Sequence, residues 1–139
     1  MASNAMQSTL TLIPLAQHYA GQRLDEAEVV ARIYALADAV ADVHRLGRLH
    51  GNITPATVLH STDGSTVLAP GLTPRREDAD GSLYLQVNPG FSPIEAYLQQ
   101  GELGPWSDLY GIGALAYWLM TGTALIEAPA RTMAQTRVF

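Results

Sequence analysis

A chain of 139 residues holds one core and is too short for two full lobes. Its 47% hydrophobic and 15% charged residues suit a folded domain, and a net charge of −5 excludes the basic surface that grips a phosphate backbone or an anionic membrane. With no cysteine there are no disulfides, thiolate metal sites or cysteine nucleophiles, which fits a cytoplasmic protein.

The first five residues, Met1 to Ala5, read as a cloning remnant, since small polar residues without a basic flank do not form a signal peptide. Residues 8–15 alternate Ser and Thr with Leu and Ile before Pro14, the pattern of a short strand, and no pairing partner for it is evident in the chain. A helix is expected over 25–46. Asp25 and Glu28 form a capping box, Val29, Ile33, Leu36, Val40 and Val43 recur as one apolar stripe, and Gly47 supplies the stop.

A loop over 49–57 leads into a hairpin over 57–69, turned at Ser61-Thr62-Asp63-Gly64. Residues 70–91, rich in Pro, Gly and charge, predict an exposed mobile loop with a brief strand at Leu83 to Val87. Ser92 and Glu95 predict the capping box of a short helix with Pro93 in its first position, ending near Gly101. A stronger helix, apolar on every face and therefore expected to be buried, covers 107–121, and a weaker one covers Ala124 to Thr136. The longest apolar stretch, Ile112 to Met120, is well short of the roughly 20 residues that span a bilayer.

This order of elements, and the residues within it, resembles the large lobe of protein kinases, in particular a bacterial Ser/Thr-kinase-like pseudokinase. His50-Gly51-Asn52-Ile53-Thr54-Pro55-Ala56-Thr57 resembles the catalytic loop. Ala69-Pro70-Gly71 falls where kinases carry D-F-G, and Pro93-Ile94-Glu95 where they carry A-P-E. Ser107-Asp108-Leu109-Tyr110-Gly111-Ile112-Gly113 resembles the start of their central helix. The resemblance covers residues 10–131 and implies an α+β, mostly α fold that lacks most of the small lobe and the closing helices of the large one.

The same resemblance implies lost chemistry. Phosphoryl transfer needs groups that hold nucleotide and magnesium and one that receives the hydroxyl proton. Asn52 stands where the family has its proton-accepting aspartate, and a neutral amide is no base. Thr54 replaces the phosphate-steadying lysine, Thr57 the metal-binding asparagine and Ala69 the second metal ligand, while Pro70 replaces the switch phenylalanine. No cofactor and no metal are therefore expected.

By the same resemblance Pro93, Glu95, Asp108 and Gly113 remain as structural motif residues, with His50 expected to pack on the core and Asp108 to accept hydrogen bonds from the catalytic-loop backbone. The arginine that pairs with the Glu95 counterpart is missing, and Arg131 is not expected to replace it. The four histidines, His18, His44, His50 and His60, are too scattered for a zinc pattern. The expected function is an inactive kinase-like binding or scaffolding module; the alternative is a divergent kinase lobe that needs a missing small lobe. An all-round apolar helix short of neighbours predicts self-association, segment exchange or a protein partner, with no role for nucleic acid or membrane.

Overall fold

The first ordered element is a strand that finds its partner far along the chain. In a computed structural model, which describes residues 11–70, 76–77, 83–84, 87–98 and 102–132, β1 (Leu12–Pro14) pairs antiparallel with β2 (Val58–Ser61), with Ile13 opposite His60. This corrects the expectation of an unpaired opening strand. Local pattern signals a strand but does not name the residues opposite it. β2 turns back into β3 (Thr66–Leu68), setting Leu59 against Val67, so the sheet order is β1-β2-β3. In the turn, Ser61 C=O accepts from Gly64 N–H at 2.9 Å and the Asp63 carboxylate accepts from Ser65 N–H at 2.9 Å.

A four-residue helix α1 (Leu15–His18) follows β1 directly, and α2 (Glu26–Arg45) follows it. Asp25 caps α2 by accepting from Glu28 N–H at 2.9 Å, but the reciprocal half of the box is absent, because the Glu28 carboxylate accepts instead from Tyr19 Oη at 3.1 Å. Val29, Leu36 and Val40 of its stripe are buried. They meet Leu15, Ile53 and Val58, and Ile112, Leu115 and Leu119 of α3 (Pro105–Thr121), in one core. Each such fully buried aliphatic side chain stabilises by roughly 2 kcal/mol.

α3 begins two residues earlier than the apolar pattern predicts. Pro105 takes the first helical position, where a missing N–H costs nothing, and Gly104 precedes it in extended backbone. Nor is α3 buried all round: Leu109 and Met120 are exposed while Ala114 and Leu115 are buried, so one face packs and the other is open. Leu24 N–H donates to Leu119 C=O at 3.0 Å, tying the α1–α2 connection to this helix.

The expected capping box at residues 92–95 does not form. Ile94–Tyr97 is a 3-10 helix with Pro93 as its flanking residue and no side-chain cap, because Ser92 Oγ accepts from Asn88 N–H at 2.8 Å and Glu95 accepts from Ser107 Oγ at 2.8 Å. Two residue pairs, β4 (Arg76–Glu77) and β5 (Leu83–Tyr84), form a small second ladder. Of the expected mobile loop over 70–91, residues 71–75, 78–82 and 85–86, Gly71 included, lie outside the described residues. Near the end, residues 128–132 are helical, 124–127 are not, and 133–136 of the expected helix lie outside the described residues. The fold class is α+β, mostly helical with a small open sheet.

Candidate functional site

The site is assembled around residues 50–57, a loop that runs through the interior rather than over the surface. Buried loop backbone must find partners inside the protein, and Asp108 supplies them. Its carboxylate, 2% exposed at the first turn of α3, accepts from His50 N–H and Gly51 N–H, each at 2.8 Å, and from His44 Nε2 of α2 at 2.8 Å. One side chain thus ties α2, α3 and the loop together.

His50, 1% exposed, is committed at both ring nitrogens. Nδ1 accepts from Asn52 N–H at 3.2 Å, which leaves the proton on Nε2 to donate to Ala69 C=O at 2.9 Å. It therefore pins the loop to the end of β3 and has no nitrogen free to take a proton from a substrate. The hydroxyls are committed too. Thr57 Oγ1 donates to Asn52 C=O at 2.5 Å and accepts from Thr54 N–H at 3.0 Å, while Thr54 Oγ1 accepts from Ala56 N–H at 3.2 Å.

Asn52 has a partner that its sequence context does not name. Its Oδ1 accepts from Asn88 Nδ2 at 2.7 Å, a link across 36 positions. Asn88 is oriented by its own turn, its C=O accepting from Phe91 N–H at 2.9 Å and Ser92 N–H at 3.0 Å. The only sequence signal was the turn former Asn88-Pro89-Gly90. α3 comes close beneath this site because Gly111 has no side chain: a Cβ there would stand 3.1 Å from Ile53 Cβ.

The structure brings His50, Asn52, Thr54, Thr57, Ala69 and Asp108 into one network and places Ser107, Glu95 and Pro93 beside it. Pro70 is exposed at the edge, and Gly113 faces away on the open side of α3. Arg131 does not reach Glu95. Its guanidinium donates to Tyr110 Oη and lies 5.5 Å from the centre of that ring. Among the described residues no three His, Asp or Glu side chains converge to hold a metal ion, and no helix is long and apolar enough to cross a membrane.

Beside the network an open groove of about 390 Å³ runs past Ala16, Pro55, Asn88, Phe91 and Trp118. Away from it, His18 and His60 stack at 4.1 Å with Tyr19 edge-on, an arrangement that reading the histidines as scattered did not foresee.

Several curated protein kinases are similar in sequence to part of this chain. Serine/threonine-protein kinase Pkn1 of Chlamydia trachomatis is 32% identical over 128 residues, covering 80% of this chain and 20% of that protein. Part of this chain is homologous to serine/threonine protein kinases. Serine/threonine-protein kinase PknL of Mycobacterium tuberculosis is 34% identical over 100 residues, covering 68% of this chain and 24% of its own length. CBL-interacting protein kinase 21 of Oryza sativa is 30% identical over 104 residues, covering 72% and 20%. The chain thus spans about a fifth to a quarter of the curated kinases it matches. No protein-family model matches it.

Proposed function

We propose that this chain is the large-lobe part of a kinase-like protein that has given up phosphoryl transfer and works by binding: a pseudokinase module that scaffolds or regulates a protein partner, another copy of itself included. The observation that carries the reading is the Asn52–Asn88 amide pair. At the position where the kinase resemblance puts the proton acceptor there is a neutral amide, and its oxygen already accepts a hydrogen bond at 2.7 Å. A carboxamide binds no proton in the working pH range, so it orients a hydroxyl without deprotonating it.

The neighbouring positions support the same reading. Thr54 and Thr57 spend their hydroxyls on the loop's own backbone, and Ala69 offers a carbonyl to His50 where a carboxylate would hold magnesium. Phosphoryl transfer depends almost wholly on positioning and charge neutralisation, and both are missing at these residues. The groove beside Pro55 and Phe91 gives the module an apolar place to hold an extended segment of a partner.

The test is transfer of labelled γ-phosphate from ATP with magnesium to the chain itself and to a generic protein substrate, for the native sequence and for Asn52→Asp. No transfer is expected from either, because restoring one carboxylate leaves Thr54, Thr57 and Ala69 as they are. Label incorporated by the native chain overturns the proposal. Label gained only by Asn52→Asp restricts the defect to that single residue.

A further inference from the structure

Residues 17–23 cross from α1 to α2 as a strap fastened at both ends and at one point between. Ahead of it Ala16 N–H donates to Pro55 C=O at 2.9 Å, and after it Leu24 N–H donates to Leu119 C=O at 3.0 Å. Within the strap Tyr19 alone is buried, and the other residues are exposed. Its phenol donates to Glu28 at 3.1 Å, and its ring meets His18 edge-on with 4.5 Å between centres. His18 in turn lies flat on His60 of β2, at 4.1 Å and 16°. Gly21 turns the strap back toward α2 with a φ of 71°, a conformation that glycine adopts freely.

Two imidazoles stack stably while no more than one of them is charged, so what a second proton meets decides the fate of the pair. Nδ1 of His60 is buried without a hydrogen-bond partner, and a proton there has no acceptor waiting. Among the described residues the titratable groups that face His60 are His18 and Tyr19 from the strap, Glu28 and Arg32 from α2, and Asp63 from the hairpin turn. On the adjoining strands Ile13 and Thr66 stand opposite it, and neither carries a charge. Burial and then Glu28 push the Tyr19 phenol up, so it stays a neutral donor. Glu28 is engaged already, accepting from Tyr19 and lying 3.7 Å from Arg32 Nε, and Asp63 accepts from Ser65 N–H and Oγ–H. Arg32 donates to Gly64 C=O at 2.9 Å, which keeps its positive charge close to the pair.

We propose that this strap is released by acid: protonation of both His18 and His60 drives the rings apart, lifts Tyr19 from Glu28 and frees residues 17–23, while α2, α3 and the sheet stay folded. This goes beyond the loss of phosphoryl transfer and does not depend on it. The direction follows from linkage. Burial, then the charges of His18 and Arg32, hold the His60 imidazole below the ordinary 6.5, with Glu28 and Asp63 pulling the other way. Release returns the ring to water and toward its ordinary value, so the closed strap is favoured above pH 6.5 and loses that advantage as pH falls from there through the closed-state value. The opening is local, because the anchors at Ala16 and Leu24 are bonds between uncharged backbone groups and Leu15 remains buried in the core.

Backbone 15N heteronuclear NOE values on the full chain from about pH 7.5 to 5, with the ring protons of His18 and His60 followed in the same samples, test this. The amides of 17–23 are expected to pass from the rigidity of α2 to the mobility of a free loop at the midpoint of the His60 titration, while those in the middle of α2 and α3 do not change. His60→Phe keeps a flat ring against His18 and takes no proton, so its strap is expected to stay ordered down to about pH 5. His18 is exposed, so His18→Phe bears little on folding. It removes one of two charges about 4 Å apart and is expected to lower the midpoint of release by at least about half a pH unit. A native strap that stays rigid down to about pH 5 overturns the proposal. So does loosening of α2 and α3 at the same pH as the strap, or a midpoint that His18→Phe leaves in place. The His18→Phe result decides even where His60→Phe fails to fold.

Discussion

Removing the Asp108 carboxylate strands two buried loop amides and one imidazole at once, since His50 N–H, Gly51 N–H and His44 Nε2 all end on it. Hydrogen bonds to a charged acceptor weigh more than neutral ones, and buried donors left without a partner bear the full desolvation penalty. Asp108→Ala is therefore expected to lower stability by roughly 3 kcal/mol or more. Urea unfolding of the variant checks it, and a loss below 1 kcal/mol would falsify the hub role. His60 makes a separate residue-scale prediction. Burial, then the charges of His18 and Arg32, hold its imidazole below the ordinary 6.5, against an opposing pull from Glu28 and Asp63. The unfolded chain then takes up the proton at a higher pH than the folded one. This contribution to stability is present above pH 6.5 and is lost as pH falls from there through the folded value. Melting temperature followed from about pH 7.5 to 5 should drop more steeply for the native chain than for His60→Phe, and superimposed curves sink the assignment.

Among the elements, α3 holds an internal comparison, because two glycines two residues apart serve opposite ends. An interior helical glycine costs up to about 1 kcal/mol relative to alanine. At Gly113 the new methyl meets open space, so Gly113→Ala should raise the melting temperature of dilute protein. At Gly111 it would press on Ile53 Cβ at 3.1 Å, an atom fixed to the loop backbone, so Gly111→Ala should lower it. Equal shifts of the same sign would show that the loop yields. Much of this level was legible in the sequence. The Asp25 cap, the Val29, Leu36 and Val40 stripe and the Asp63-Gly64 hairpin are local signals, and local hydrogen bonding and periodicity settle them. The failures share a cause. β1 has its partner 45 residues away at its nearest paired position, Pro14 opposite Leu59, and the box expected from Ser92 and Glu95 is dissolved by Asn88 and Ser107, groups from outside the element. All-round apolarity could not say which face of α3 would be covered, because a fully apolar helix carries no moment to orient it.

At the scale of the whole molecule, the loop at 50–57 is the point where every layer meets. α2 reaches it through His44 and Asp108, β3 through Ala69 and His50, and the 88–92 turn through Asn88 and Asn52. α1 reaches it as well, Ala16 N–H donating to Pro55 C=O at 2.9 Å. The resemblance marked which residues stand in this loop, but the bond between Asn52 and Asn88 spans 36 positions and no periodicity could report it. Loops ordinarily open locally and exchange their amides fast. This one cannot open without unseating a carboxylate from two helices, so the amides of His50 and Gly51 should exchange only with global unfolding, as slowly as those in the middle of α3. The hairpin turn at 62–65 lies at the surface and should exchange by local opening, orders of magnitude faster. Hydrogen exchange read by NMR separates the two. Asn88→Ala should speed exchange at Asn52 and its neighbours while leaving His50 and Gly51 protected, because their acceptor is on α3. If the native loop exchanges at the rate of the turn, its hydrogen bonds are not what holds the elements together, and the burden falls on the apolar core alone.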